Sequence, residues 1–425
     1  MNVSRLLLTT ALLTTCSLVA AEPVANSPIG PIAVAPQDWP WWRGPHRNGI
    51  AADGPRPPAS WSDRQHVAWK VAVPGRGHGS PTIVGSRVFL VTADRKAQTQ
   101  SVLCFDRETG KRRWETVVHR GPLETRGSKK SSQGSCTPAC DGHRLYVNFL
   151  HKGTVMTSAL NLDGQIVWQS AVTAYQTHQG FSSSPCLYGP VVLVSADNRA
   201  GGTVTALSRD SGDVTWKHSR PKKANYTSPI VLKVAGRDQA LLVGTNLVSS
   251  FDPLSGRKLW EIDGATTECV TSAVTDGTRV FTSGGYPRNH VSAILADGSG
   301  QTVWQNAQRV YVPSMLVHEG TLYAVLDAGI VTAWDSATGR TLWRQRLGGV
   351  FTSSLVLGGG NIYATDESGK TTVFQAGRGG LKVVARNQLG SEVMASMAIC
   401  GGRVFHRVAS TASGQRQEWL YCLGR

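Results

Sequence analysis

The sequence predicts a closed, all-β, eight-bladed β-propeller with four-stranded blades. Three observations predict it. A tryptophan-bearing phrase recurs every 39–54 residues. A small-residue strand recurs upstream of each phrase, and the strand missing from the last unit turns up at the other end of the chain.

The phrase reads CFDRETGKRRW at 104–114, ALSRDSGDVTW at 206–216, SFDPLSGRKLW at 250–260 and AWDSATGRTLW at 333–343. Weaker forms end at Trp168 and Trp304, and Trp69 completes the series with Trp114, Trp216, Trp260 and Trp343. Asp106, Asp252 and Asp335 suit the start of a turn, where a carboxylate accepts local backbone N–H groups. Gly110, Gly212, Gly256, Gly300 and Gly339 suit a backbone at positive φ. The tryptophan then opens a new strand and offers a large ring to bury, so these seven are assigned as structural docking residues.

The upstream element appears as GSPTIVGSRVFLVTA (79–93), TSPIVLKV (227–234), PSMLVHEGTLYAV (313–325), FTSSLVLGGGNIYAT (351–365) and ASMAICGGRVFH (395–406). Small residues at its start suit a crowded central axis. Each unit therefore reads as four strands, A to D. Starts near 80, 136, 183, 227, 271, 313, 353 and 395 give eight units. The last unit ends at WLYCLGR without a D strand, and HVAWKVAVPG (66–75) supplies one. Pairing the two ends closes the ring and removes an exposed sheet edge. An open β-solenoid would leave that split unit unexplained. In the seventh unit Val383-Val384 stand in place of tryptophan.

Four regions follow. Residues 1–21 read as an export signal: Arg5, an apolar core at 6–20, and Val19-Ala20-Ala21 before Glu22. The apolar stretch is shorter than the ~20 residues that span a bilayer, and nothing in the mature chain is long enough to do so. A periplasmic or extracellular location is expected. Cys16 gives lipoprotein anchoring as a minority reading, since Thr15 fits a lipoprotein box poorly. Residues 22–37 are rich in proline and alanine and are expected to be disordered. Residues 38–65 carry Trp39, Trp41 and Trp42, too apolar for a free linker. They are expected to pack on the propeller's outer wall or on one face, the functional alternative being an aromatic ligand platform. Residues 66–425 are the propeller, expected to be a monomer.

The chain has a formal net charge of +16, and removing residues 1–21 takes away Arg5 and leaves +15. That excess suits an anionic partner, or is an unengaged basic surface. Export argues against nucleic acid. The seven cysteines beyond Cys16 are an odd number with no CxxC spacing, so buried thiols are expected rather than a zinc or haem site.

These repeats resemble the pyrroloquinoline-quinone-type propeller repeat, whose docking motif is A-x-D-x-x-T-G-x-x-x-W. Ala333, Asp335, Thr338, Gly339 and Trp343 match it best. Cys104, Asp106, Thr109, Gly110 and Trp114 match it with one substitution. The resemblance covers residues 66–425. It implies one of two activities: quinoprotein alcohol dehydrogenase, or non-catalytic binding as in the propeller subunit of the outer-membrane β-barrel assembly machinery. The segment 38–54 is similar to the N-terminal signature of secreted bacterial propellers. The dehydrogenase branch implies calcium beside the quinone, a catalytic aspartate and adjacent cysteines. No two cysteines are adjacent here, and acidic residues are scarce. Pyrroloquinoline quinone with calcium is therefore unsupported by site residues, and no cofactor is expected. HExxH, GxSxG and phosphate-loop motifs are also absent.

A propeller ligand is expected at the channel mouth, on the face formed by the D–A and B–C loops. Arg76, His78, Phe181, Tyr226, Tyr311 and Phe351 are assigned to that mouth, either as an aromatic collar or as packing between blades. Arg126, Lys129 and Lys130 on one D–A loop, with Lys222 and Lys223 on another, form a candidate anion patch or simply solvated loop charge. The sequence thus reads as a non-catalytic envelope propeller engaging a protein, an anionic glycan or a small ligand. The alternative is a quinone-dependent oxidoreductase.

Overall fold

The computed structural model describes residues 29–412 and 414–424. The assigned export signal lies outside them. Eight four-stranded antiparallel sheets make up the fold. Blades 1 to 7 span 82–120, 139–174, 186–220, 230–263, 274–306, 316–346 and 356–388. Blade 8 takes its inner three strands from 398–423, and Val67–Val73 forms its outermost strand against Gln417–Leu423. The velcro closure read from the sequence is present. No described helix is long and apolar enough to cross a membrane.

The tryptophans clasp neighbouring blades. Trp343 Nε1 donates to the Gly377 carbonyl of blade 7 at 3.0 Å, and Trp304 Nε1 to Ser336 of blade 6 at 2.9 Å. Trp69 closes the ring by donating to Arg107 of blade 1 at 2.9 Å. The turn glycine of the next blade lies against the indole. Gly339, at φ 72°, would place a Cβ 2.5 Å from the Trp304 ring, so both its backbone and its lack of a side chain are required. A ring of this size buries on the order of 200 Å², worth about 5 kcal/mol gross. Trp260 departs from the rule. It donates to Gln239 of its own blade at 2.7 Å, and Gln239 reaches on to Ala296 of blade 5 at 2.8 Å.

Blade 7 corrects one expectation. A bulge precedes the tryptophan in each outer strand, so Ala333 pairs with Trp343 while Trp334 pairs with Thr341. In blade 7, Val373 pairs with Ala385 and Phe374 with Val383. The docking position is therefore Ala385, and Val383 and Val384 are exposed. The missing indole comes from Trp61. It stacks on Tyr363 with centroids 6.1 Å apart, the distance at which Trp343 meets Tyr323. Asn387, two residues along the same strand face, accepts the Trp61 backbone N–H at 2.9 Å and donates to Ala59 at 2.9 Å.

Trp61 ends a strap that crosses the A–B and C–D turn face. Residues 29–37, within the stretch expected to be disordered, lie on blades 2 and 3: Ile29 N–H donates to Asp210, and Ala33 N–H to the Asp141 carbonyl. Burial of apolar contacts explains the difference, since Ile32 and Val34 pack against the blade cores. Trp39 then pairs through its backbone with Ile83 of blade 1, and Pro40 accepts from Cys140 of blade 2. Arg43 is buried and donates to the carbonyls of Met315 and Leu355 in blades 6 and 7. Residues 49–51 pair with Leu357 of blade 7. The Trp-rich segment therefore crosses one face, and its end at Ala59 and Trp61 reaches the outermost strand of blade 7.

Candidate functional site

Each inner strand starts at a D–A loop with a hydroxyl residue. The eight are Ser80, Thr137, Ser184, Ser228, Ser272, Ser314, Ser354 and Ser396. They link the blades around the axis. Ser80 N–H donates to Thr137 Oγ1, Thr137 N–H to Ser184 Oγ, and Ser184 N–H to Ser228 Oγ, at 2.9–3.0 Å. Ser272, Ser314 and Ser354 continue the pattern as far as Ser396 at 2.8–3.0 Å. Only a short hydroxyl side chain can accept from the neighbouring strand at this crowded radius. The recurrence of hydroxyls was visible in the sequence, but their cross-blade role was not.

Trp42 rises from the strap into this ring and donates its indole N–H to Ser272 Oγ at 2.8 Å. It forms the floor of a channel cavity of about 160 Å³. Above the hydroxyls, the residues two positions earlier line the wall: His78, Ser135, Ser182, Tyr226, Val270, Val312, Thr352 and Met394. The channel is thus floored on the strap side and opens toward the D–A and B–C loops.

Only part of the assigned mouth set meets here. His78 and Tyr226 line the cavity. Tyr311, Phe351 and Phe181 are out of register by one residue, and the wall positions in those blades are Val312, Thr352 and Ser182. A one-residue slip turns a side chain to the opposite face. Phe351 is accordingly buried in the core between blades 6 and 7, and Phe181 packs edge-on against Tyr175 at 5.5 Å. Tyr311 stands at the rim, its hydroxyl donating to Glu268 at 3.1 Å. Arg76 also stands at the rim, 3.3 Å from Glu392.

Ion pairs ring part of the mouth, where three arginines, Arg76, Arg407 and Arg416, share two carboxylates, Glu392 and Glu418. Glu392 also meets Arg416 at 3.0 Å, and Glu418 holds Arg416 and Arg407. Glu367 takes Lys130 at 2.7 Å, and Glu268 takes His178 at 3.3 Å. The His78 imidazole is held well below its usual range, first by burial and then by Arg76, Arg407, Arg416 and Lys130. It is neutral at physiological pH. The candidate anion patch is dispersed: Arg126, Lys129 and Lys130 lie on the loop after blade 1, and Lys222 and Lys223 on the loop after blade 3. Lys130 already has a carboxylate partner. All seven cysteines of the described chain are buried and free, and burial raises six of the thiols. Among the described residues no group of three or more His, Cys, Asp or Glu is placed to hold a metal ion.

A sequence-continuous propeller with these docking repeats is of the pyrroloquinoline-quinone-like repeat class. The family described as outer membrane protein assembly factor BamB matches residues 60–180, 98–345 and 327–417, and the chain belongs to it. It is 23% identical over 317 residues to the outer membrane protein assembly factor BamB of Yersinia pestis, covering 71% of this chain and 64% of that protein. It is 26% identical over 290 residues to the same factor of Burkholderia pseudomallei strain K96243, covering 64% of this chain and 66% of that protein. The chain thus spans a little under two thirds of these relatives' lengths. The crystal structure of BamB from Moraxella catarrhalis shares the fold with a TM-score of 0.59 and 14% identity, covering 83% of this chain and 98% of that one. A europium-containing methanol dehydrogenase does so at 0.65 and 11%, covering 92% and 98%. The quinohemoprotein alcohol dehydrogenase of Comamonas testosteroni does so at 0.65 and 12%, covering 93% and 82%.

Proposed function

We propose that this chain is an exported, non-catalytic, protein-binding propeller that serves outer-membrane protein assembly through its D–A and B–C loop face. Membership of the BamB family supports the class. The observation that carries the choice of face is the strap: it covers the opposite face from Ile29 to Trp61 and leaves the D–A and B–C loops free. That free face holds a groove of about 820 Å³ between blades 4 and 5, lined by Asn246, Asp263, Thr266, Arg288 and His290. Tyr286, on one of its loops, is 55% exposed, and tyrosine is among the residues that most often anchor protein partners.

The quinone alternative does not fit the cavity. Its wall carries no carboxylate to hold calcium and no cation to meet an acidic cofactor. Burying those charges against neutral hydroxyls would be strongly unfavourable.

A photo-crosslinking residue at Tyr286 should capture an outer-membrane assembly component in the producing cell. The same residue at Leu254, exposed on a C–D turn of the strap face, should not. Equal capture from both positions, or capture from Leu254 alone, would overturn the assignment of the face.

A further inference from the structure

Charge is not spread evenly over the D–A and B–C loop face. The loops that leave blades 1 to 3 on this face are 95–98, 121–138, 152–153, 175–185, 196–201 and 221–229. They carry nine lysines and arginines against two carboxylates, Glu124 and Asp197. In a ring of eight, blade 2 stands opposite blade 6. The matching loops of blades 6 and 7, at 326–329, 347–355, 366–369 and 389–397, carry four carboxylates and no lysine or arginine. The face thus has a basic side and an acidic side, which a general surplus of cations does not produce by itself.

Two of the nine cations are engaged: Lys130 meets Glu367 at 2.7 Å, and Arg199 donates to His178 at 2.9 Å. The nearby carboxylates are committed elsewhere. Asp197 is buried against Arg220, and Glu124 accepts the Arg126 N–H and the Thr177 hydroxyl. Asp94, at a strand end, accepts the N–H groups of Lys96 and Ala97. Among the described residues no carboxylate forms an ion pair with the other seven: Arg95, Lys96, Arg126, Lys129, Lys152, Lys222 and Lys223. Six of them are exposed and Lys223 is half-buried. Their loops touch one another. Arg95 donates to Gln133 at 3.3 Å, and Lys152 lies against Gly121, 3.2 Å from where a Cβ would stand. Ser128 N–H donates to Gln179 at 2.9 Å, Gln176 N–H to Asn198 at 3.3 Å, and Lys222 lies 3.8 Å from the Cβ position of Gly201. The result is one continuous basic arc running from blade 1 to the loop after blade 3.

The composition of the arc distinguishes two kinds of anionic partner. Five of the seven cations are lysines, which protein interfaces deplete while enriching arginine and aromatic rings. None of the exposed large apolar residues lies on these six loops, so the arc has no anchor for a protein pocket. Lysine is a point charge on a flexible stem without a fixed hydrogen-bonding fork, which suits headgroups that move. We propose that the arc is a docking surface for an anionic phospholipid membrane, held by charge and without insertion of side chains. The groove between blades 4 and 5 lies outside these loops, so the assignment does not depend on the protein partner proposed above.

Vesicle co-sedimentation tests it, with the chain taken from Glu22 onward so that the apolar residues 6–20 cannot bind lipid themselves. Vesicles of phosphatidylethanolamine with about one third phosphatidylglycerol should bind the chain at about 0.1 M salt. Vesicles with phosphatidylcholine in place of phosphatidylglycerol should bind it at least about tenfold more weakly. Raising salt to about 0.5 M should release it, because screening shortens the reach of the arc. Each cation near an anionic surface adds about fivefold in affinity. Lys96→Glu, Lys129→Glu, Lys152→Glu and Lys222→Glu together should therefore weaken binding by about a hundredfold or more. Lys233→Glu, Arg237→Glu, Arg257→Glu and Arg340→Glu change the net charge equally, at exposed positions by the A–B and C–D turns of the strap face. They should leave binding within about fivefold of the parent. The lipid and salt comparisons use the parent chain, so they decide the matter even where a variant folds poorly. Equal binding to both kinds of vesicle, or to neither, would overturn the proposal. So would equal losses in the two charge-reversal variants. Binding of polyglutamate without binding of anionic vesicles would assign the arc to an acidic polypeptide and overturn it as well.

Discussion

Blade 6 closes on its neighbour with a tryptophan from its own outer strand, whereas blade 7 does so with a tryptophan from the N-terminal strap. Trp343 and Trp61 both meet a tyrosine of the blade's second strand at a centroid distance of 6.1 Å. They differ in two ways. Trp343 tilts 53° to its tyrosine and donates to Gly377. Trp61 stacks at 14°, and its indole nitrogen has no partner. The difference teaches that the fold demands a ring at each docking position and does not demand that the ring come from that position's own residue. It also ties the strap to the propeller. The segment that floors the channel with Trp42 completes the seam between blades 7 and 8 with Trp61.

The largest effect should come from removing the supplied ring. Trp61→Ala should cost about 3–5 kcal/mol in urea unfolding, as Trp69→Ala should, because both rings are buried in one cluster. A cost below about 1 kcal/mol would make Trp61 a surface covering and nothing more.

A second effect tests the same seam through pH. His406, in the second strand of blade 8, is fully buried, and burial lowers its pKa to about 4. An unfolded chain protonates this residue below about 6.5. The folded state therefore loses stability as pH falls from about 6.5 toward 4, and this residue adds no pH dependence above that window. His406→Leu should recover about 2–3 kcal/mol of the loss between pH 7.5 and pH 4.5 in urea titrations. His119 and His290 are lowered to about 4 in the same way, so a residual slope should persist.

The smallest effect separates the two docking modes. Trp343→Phe should lose about 1 kcal/mol more than Trp61→Phe, since only the first gives up an N–H hydrogen bond. Equal losses would mean that the Gly377 contact adds nothing.

Most of the ring was legible in the sequence. The tryptophan phrases, the eight small-residue strands and the split last unit are periodic signals, and periodicity survives low identity between repeats. What failed were readings that hung on a single residue of register. The bulge before the docking position moved blade 7's slot from Val383-Val384 to Ala385. A similar slip put Tyr311 and Phe351 where Val312 and Thr352 stand. The strap was legible as apolar but not as a path, because its contacts join residues more than 300 positions apart, as between Trp61 and Asn387. The cavity combines Trp42 with residues of several blades, and no local pattern announces such a meeting.

The account rests on Trp61 filling the slot that Ala385 leaves open, and a double-mutant cycle measures this directly. Ala385→Trp alone should overpack the seam and cost about 1–3 kcal/mol. In a Trp61→Ala background the same change should instead restore stability. The two substitutions would then couple favourably by about 2 kcal/mol or more in urea unfolding. Additivity within about 0.5 kcal/mol would place the two residues at separate sites and contradict the account.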